Sequence, residues 1–269
     1  MELIPSIVAV PARLESARLP NKVMADIGGK PMLRHVLERS RLARHQIAVV
    51  LCTDSTFLAA RAKEWGFPVL LTESSCRSGS DRLASVVDQL LSLANLSESE
   101  SLIINVQGDQ PFIDPQIIEQ MTVEFSTRSP MPEVLTPVYS LSADRIHNPN
   151  VVKTLLTSNG KAIYFSRSAL PHVRDQQPED WSEQADYWGH VGIYGYRSDV
   201  LRRWNKLPDS PLEQAEKLEQ LRLIDAGIAI GTFPVQAESL SVDTVEQLEQ
   251  ARQIASMQPQ GYPADRNFF

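Results

Sequence analysis

Three groups of residues have types and spacing that could do chemistry. The first is a basic loop, Pro11-Ala12-Arg13-Leu14-Glu15-Ser16-Ala17-Arg18-Leu19-Pro20-Asn21-Lys22, directly after the first apolar run. In an open α/β sheet, ligands bind outside the carboxyl ends of the strands. Arg13, Arg18 and Lys22 would put three cations there, where a triphosphate could lie. Arginine offers forked hydrogen bonds to phosphate oxygens, and lysine a mobile point charge. By composition alone the loop reads first as a solvated basic segment. It is not a Walker A loop, because GxxxxGK[ST] is missing, and Gly28-Gly29 before Pro31 reads as a tight turn.

The second group is carboxylic. Asn105-Val106-Gln107-Gly108-Asp109 ends an apolar run, and an aspartate at that edge suits Mg²⁺, which takes one or two carboxylates plus substrate phosphates. Gly108-Asp109-Gln110-Pro111 is equally a good turn sequence. Asp243, in Ser241-Val242-Asp243-Thr244 before the last helical stretch, reads either as an N-cap or as a second carboxylate for the same metal. The third group is Ser78-Gly79-Ser80-Asp81-Arg82. Its free N–H groups and small residues suit an anion or a nucleotide base, but also an ordinary helix start capped by Ser80 or Asp81.

The elements that must position these residues show up as alternating patterns. Ile4–Val10, Gln46–Thr53, Phe67–Leu71 and Ser101–Val106 are short apolar runs read as buried strands. Between them, helices are expected from Pro31 to about Ala43, over Ser55–Trp65, and over Asp81–Leu96, where Leu83, Val86, Val87, Leu90, Leu91 and Ala94 keep helical spacing. Such alternation predicts parallel strands covered by helices on both faces. From Val134 the pattern turns to strands at Val134–Ser140, Val151–Thr157, Lys161–Ser166 and Val191–Tyr196, with Ser158-Asn159-Gly160 as a turn. Helices return at Pro211–Ala226 and Thr244–Met257, around a strand at Ile228–Val235. On the first of these helices, Glu213, Glu216 and Gln220 would share one side, as a solvated face or as partners for sugar hydroxyls. Arg167 and His190 lie in the strand-rich part, where a lone Arg or His is usually structural. The expected organisation is one α/β domain over residues 1–257, with a β-rich lobe inserted at about 134–200 and a tail at 258–269.

Composition narrows the classes. The chain has 269 residues, with 26 Lys+Arg against 33 Asp+Glu, giving a net charge of −7. That acidity argues against a general nucleic-acid binder while leaving room for a locally basic pocket. No apolar run approaches the roughly 18–20 residues of a membrane span, and MELIPSIVAVPAR lacks the basic n-region of a secretion signal. Two cysteines, Cys52 and Cys76, make neither a disulfide framework nor a zinc site, which fits a reducing cytoplasm.

Taken together, PARLESARLPNK, NVQGDQP, NPNVVK, YFSR, HVGIYGYR, LEQAEKLEQLR and VDTVEQL, in this order from about Ile7 to Arg252, resemble the 3-deoxy-manno-octulosonate (Kdo) cytidylyltransferases, or CMP-Kdo synthetases. The resemblance implies a nucleotide-diphosphosugar-transferase-like, Rossmann-like fold: a mostly parallel sheet flanked by helices, with a smaller β-rich lobe supporting a homodimer. It implies transfer of CMP from CTP to the anomeric hydroxyl of Kdo with release of pyrophosphate, a step feeding lipopolysaccharide-type glycan synthesis. Another ulosonic acid (an amino-Kdo or an acylneuraminate) as acceptor, or CTP binding without turnover, are the alternatives. By the same resemblance, Arg13 and Lys22, with Arg18 nearby, match triphosphate-binding cations. Asp109 and Asp243 match Mg²⁺ ligands. Ser78, Gly79, Arg82 and Gln107 match the nucleotide segment, and Arg167, His190, Glu216 and Gln220 line a sugar-acid pocket. Two positions depart from the family's pattern. Cys76 stands where a His is usual, which bears on a nucleotide contact, and Gln110 replaces a Glu, which removes a charge beside the metal site.

Overall fold

The structure, a computed structural model, describes residues 3–16, 19–96, 101–236 and 240–257. Its first strand, β1 (Ser6–Ala12), is buried along its whole length. Successive side chains point to opposite faces: Val8 and Val10 join one core, Ile7 and Ala9 the other. A strand that is apolar on both faces needs cover on both, and the next elements supply it. After β1 come the hairpin strands β2 (Asp26–Ile27) and β3 (Lys30–Pro31), helix α1 (Met32–Arg41), β4 (Gln46–Thr53), α2 (Thr56–Glu64) and β5 (Val69–Leu71). Gly28 and Gly29, both with positive φ, make the expected tight turn between β2 and β3. The short helices α3 (Gly79–Ala84) and α4 (Val87–Leu93) then lead to β6 (Leu102–Val106), which pairs with the other edge of β1.

The parallel order is thus β5-β4-β1-β6, as the alternation predicted. The chain winds outward from β1 to β5 and then returns to the far side of β1. The strand order therefore reverses between β1 and β6, the place where such sheets leave a crevice at the strands' carboxyl ends. The loops after β1 and β6 border that crevice.

Beyond β6 follow α5 (Pro115–Thr127), β7 (Val134–Ser140), β8 (Lys153–Leu156), β9 (Ala162–Ser166), α6 (Trp181–Gln184), β10 (Trp188–His190), β11 (Ile193–Arg197) and α7 (Ser198–Arg203). These strands do not form a sheet of their own. They extend the first one, antiparallel, in the order β6-β11-β7-β10-β8-β9. The chain closes with α8 (Pro211–Glu216), α9 (Leu221–Asp225), β12 (Ile230–Pro234), parallel to β7, and α10 (Val245–Met257).

Three expected elements are corrected. The helix expected over Asp81–Leu96 is two helices, broken at Ser85–Val86. There the Ser85 hydroxyl donates to the Arg82 carbonyl at 2.7 Å and competes with the helical ladder. The helix expected over Pro211–Ala226 stops at Glu216, because Lys217 turns left-handed with φ 56°. Glu213, Glu216 and Gln220 therefore do not share a solvated face. The strand expected at Val191–Tyr196 begins only at Ile193, as β11; Val191–Gly192 is a break that separates it from β10, and the two strands follow different stretches of β7. Among the described residues, no helix is long and apolar enough to cross a membrane. The tail expected at 258–269 lies outside the described residues.

Candidate active site

Two cavities meet at the crevice. One, of about 290 Å³, is lined by the loop after β1, the start of α3 and the end of β6. The other, of about 530 Å³, lies between that end of β6 and the β-rich part. Gln107, Asp109 and Asp243 line both, so they form the junction.

Local packing brings the two aspartates together. Gly108 sits where a Cβ would meet the Pro11 carbonyl at 3.1 Å and the Ala12 side chain at 3.2 Å, so the β6 turn can press against the loop after β1. A small core of Ile27, Met32, Val242, Leu248 and Ala251 seats α10 against the β2–β3 hairpin. The Val242 N–H then donates to the Asp109 carbonyl at 2.9 Å and pins the two segments backbone to backbone. The N-cap reading of Asp243 is corrected by the next residues. Thr244 Oγ1 accepts from the Gln247 N–H at 3.3 Å, and the Gln247 side chain accepts from the Thr244 N–H at 3.1 Å. That is a capping box, so α10 does not need the Asp243 carboxylate for its cap.

Both carboxylates face one ammonium. Lys22 Nζ donates to Asp109 Oδ2 at 2.7 Å and to Asp243 Oδ1 at 2.8 Å, which caps the separation of those oxygens at 5.5 Å. Burial alone would lower the Lys22 pKa, but the two carboxylates outweigh it and hold it above the ordinary amine value. Two converging carboxylates suit a small hard cation whose remaining positions go to phosphate and water. Among the described residues there is no group of three or more His, Cys, Asp or Glu that could hold a metal ion.

The first cavity carries most of the expected nucleotide residues. Arg13 is exposed on its wall, and Ser78, Gly79, Arg82 and Gln107 complete it. Arg18 lies outside the described residues. The cap of α3 is Ser78, which accepts from the Asp81 N–H at 3.1 Å; neither Ser80 nor Asp81 caps it. Asp81 is spent elsewhere, accepting from Trp204 Nε1 at 2.6 Å and Arg222 at 3.0 Å. Gly79 lies so close to Gln107 that a Cβ would stand 3.0 Å from its side-chain oxygen. Arg82 is buried and donates to Thr72 Oγ1 and, at 3.0 Å, to Asp54, which anchors the segment to the ends of β4 and β5. Cys76 also lines this wall.

Arg167, His190 and Gln220 line the second cavity, with Gln110. Glu216 does not; it stands behind Arg167, accepting from its N–H at 3.0 Å and from the Ser166 hydroxyl at 2.5 Å. Glu213 is bound to Arg222 at 2.7 and 2.8 Å. Loss of hydration pulls His190 down to about 3, so its ring is neutral across the physiological range.

Sequence reasoning missed Glu219, Asn105 and Lys153. Burial raises the Glu219 carboxyl, which accepts from the Ser80 N–H at 3.2 Å and lines the second cavity. Asn105, fully buried, accepts from the Gln107 side chain at 3.1 Å and so holds it at the junction. Lys153 is fully buried and donates to the carbonyls of Asn148, Val151 and Arg167, fixing the loop beside Arg167. A polar residue inside an apolar strand is the one sequence signal that marks Asn105. Nothing in the spacing marks Glu219.

The comparisons with known proteins bear on the family and the fold. The profile of the family described as Cytidylyltransferase matches residues 7–230. Among named relatives, the 3-deoxy-manno-octulosonate cytidylyltransferase of Polynucleobacter necessarius is 42% identical over 252 residues, covering 92% of this chain and 94% of that protein. Its namesake from Escherichia coli is 37% identical over 253 residues, covering 94% and 97%. A solved structure of CMP:2-keto-3-deoxy-manno-octonic acid synthetase complexed with CTP superposes with a TM-score of 0.85 at 37% identity, covering 94% of this chain and 99% of that one. A cytidylyltransferase from Leptospira borgpetersenii, 18% identical with a TM-score of 0.60, shares the fold. Motifs, fold and relatives converge: the chain belongs to the cytidylyltransferase family, among the 3-deoxy-manno-octulosonate cytidylyltransferases.

Proposed function

We propose that the protein transfers CMP from CTP to the anomeric hydroxyl of Kdo and releases pyrophosphate. The observation that carries this reading is the shared wall: Gln107, Asp109 and Asp243 border both cavities, so a nucleotide in one and a sugar acid in the other would meet there. For attack on an α-phosphorus, holding the hydroxyl in line with the leaving pyrophosphate supplies much of the rate, and neutralising charge supplies much of the rest. Arg13 and Lys22 stabilise the charge that builds on the leaving group. Lys22 gives up its carboxylate partners as a triphosphate offers it new ones. Ser78, Gly79, Arg82 and Gln107 shape the nucleotide wall.

Asp109 and Asp243 are the residues that would hold Mg²⁺. A bound Mg²⁺ screens phosphate charge and lowers the pKa of the attacking hydroxyl. In the acceptor cavity, Arg167, backed by Glu216, faces the sugar's carboxylate, and Gln220 and His190 orient its hydroxyls. His190 orients rather than takes a proton, because its ring holds none at its unprotonated nitrogen until about pH 3. A homodimer in a cytoplasmic setting is part of the same proposal and rests on the family resemblance.

The test is pyrophosphate release with CTP, Mg²⁺ and a panel of acceptors: Kdo, an amino-Kdo and an acylneuraminate. Turnover that needs all three components and is fastest with Kdo is the expected result. Faster turnover with another acceptor reassigns the substrate, because pocket hydrogen bonds set the ratio of kcat/KM values. CTP binding without product from any acceptor overturns the reading.

A further inference from the structure

Thr136 lies at the middle of β7, fully buried, and its hydroxyl sits at the split in the neighbouring strand. Before the split, His190 of β10 pairs with Val138 of β7; after it, Gly195 and Tyr196 of β11 pair with Leu135 and Val134. Across the gap, Thr136 Oγ1 meets three partners: the Ile193 carbonyl at 2.8 Å, the Val191 carbonyl at 3.1 Å and His190 Nε2 at 3.0 Å.

A threonine hydroxyl has one proton and two acceptor lone pairs. If that proton went to His190, two carbonyl oxygens would face the hydroxyl oxygen at 2.8 and 3.1 Å with no hydrogen between them. If it goes to the Ile193 carbonyl, the shorter contact is satisfied, and the hydroxyl is free to accept from an Nε2–H. The second arrangement makes one more hydrogen bond and removes the worst repulsion. The other nitrogen of the ring then carries a lone pair. Phe165, edge-on at 5.0 Å, and Tyr194, tilted at 5.4 Å, fix the ring plane, and His190 forms part of the wall of the 530 Å³ cavity.

We propose that Thr136 is a positioning residue: it holds His190 as the Nε2–H tautomer, so that the Nδ1 lone pair is offered to the acceptor cavity and accepts a hydrogen bond from a hydroxyl of the sugar acid. The neutral state of the ring agrees with this, because an imidazolium would have no lone pair to offer. Thr136 thereby sets what the acceptor must bring to this point: a hydrogen-bond donor. The sugar half of the proposal rests on the acceptor reading above; the tautomer half does not.

The experiment separates the two. Long-range ¹H–¹⁵N NMR on the ligand-free, ¹⁵N-labelled protein resolves protonated from unprotonated imidazole nitrogens, and with five histidines in the chain the His190 signals are assigned by their loss in His190→Gln. The expected wild-type pattern is a neutral ring protonated at Nε2. Thr136→Val should shift His190 to a mixture of tautomers and raise KM for the sugar acid about tenfold, leaving KM for CTP unchanged. Thr136→Ser, which keeps the hydroxyl, should restore both readouts. A wild-type ring protonated at Nδ1, or charged at neutral pH, overturns the proposal whether or not Thr136→Val folds. So does a folded Thr136→Val that keeps both the Nε2–H tautomer and the wild-type sugar KM.

Discussion

Arg222→Met is the perturbation whose size follows most directly from the structure. The Arg222 side chain is 4% exposed. Its guanidinium makes a forked pair with Glu213 at 2.7 and 2.8 Å, donates to Asp81 Oδ1 at 3.0 Å, and lies over the Trp204 ring at 5.0 Å. Burial alone would raise the Asp81 carboxyl; the Trp204 N–H and Arg222 outweigh it and hold it below the usual carboxylate range. Asp81 therefore contributes stability above that range which is lost as pH falls through it. Methionine fills similar space but takes the buried cation from both carboxylates, leaving Asp81 only the more exposed Arg77 at 3.7 Å. Removing one partner from a buried pair costs about 3–5 kcal/mol. For a chain of this size each kcal/mol lowers Tm by about 2–4 °C, so the expected loss is roughly 6–20 °C by circular dichroism. The cluster also joins α3, which carries the nucleotide segment, to α8 and α9, which flank the acceptor cavity, so KM should rise for both substrates. Neutralising the stranded acids in the triple variant Arg222→Met, Asp81→Asn, Glu213→Gln should recover much of the stability. A loss below about 1 kcal/mol in the single variant, or no recovery in the triple one, would refute the reasoning.

Further outcomes follow from the same geometry. Asp109→Asn and Asp243→Asn should each cut turnover by orders of magnitude while Tm stays close to wild type; near-normal rates in Asp243→Asn would remove that residue from the chemistry. Because His190 stays neutral to about pH 3, kcat/KM for the sugar acid should show no inflection near pH 6.5 that His190→Gln abolishes. The unfolded chain takes up that proton first, so stability should fall below pH 6.5 by at most about 1.4 kcal/mol per pH unit, a slope that His190→Gln flattens. Burial pushes the Cys52 thiol up to about 12, whereas Cys76 lines the nucleotide cavity. A thiol reagent should therefore modify Cys76 alone, more slowly with CTP present, and reach Cys52 only on unfolding; equal rates at both would contradict the burial.

How much of this was legible in the sequence differs between its parts. The parallel strands read correctly because β1 and β6 are short, mostly apolar runs buried on both faces, a pattern that fits a sheet covered on both sides. The two broken helices did not read, because their breaks come from side-chain contacts that no periodicity records: Ser85 bonding back to Arg82, and Glu216 engaged by Ser166 and Arg167 beside a left-handed Lys217. The site was half legible. Motif segments named Asp109 and Asp243, but their meeting depends on the Val242–Asp109 backbone bond and the small core beneath α10. The roles of Glu216 as a prop for Arg167, and of Asn105 as a holder for Gln107, exist only once the fold has closed.

In the proposed reaction, Asp109 and Asp243 hold a divalent cation between the nucleotide and acceptor cavities. Anomalous diffraction from crystals grown with Mn²⁺ and a non-hydrolysable CTP analogue tests it directly. The expected result is a metal peak at the junction, with a carboxylate oxygen of each aspartate about 2.1 Å away and Lys22 moved onto the phosphates. A metal held by the triphosphate alone, with Lys22 still bridging the two carboxylates, would contradict it.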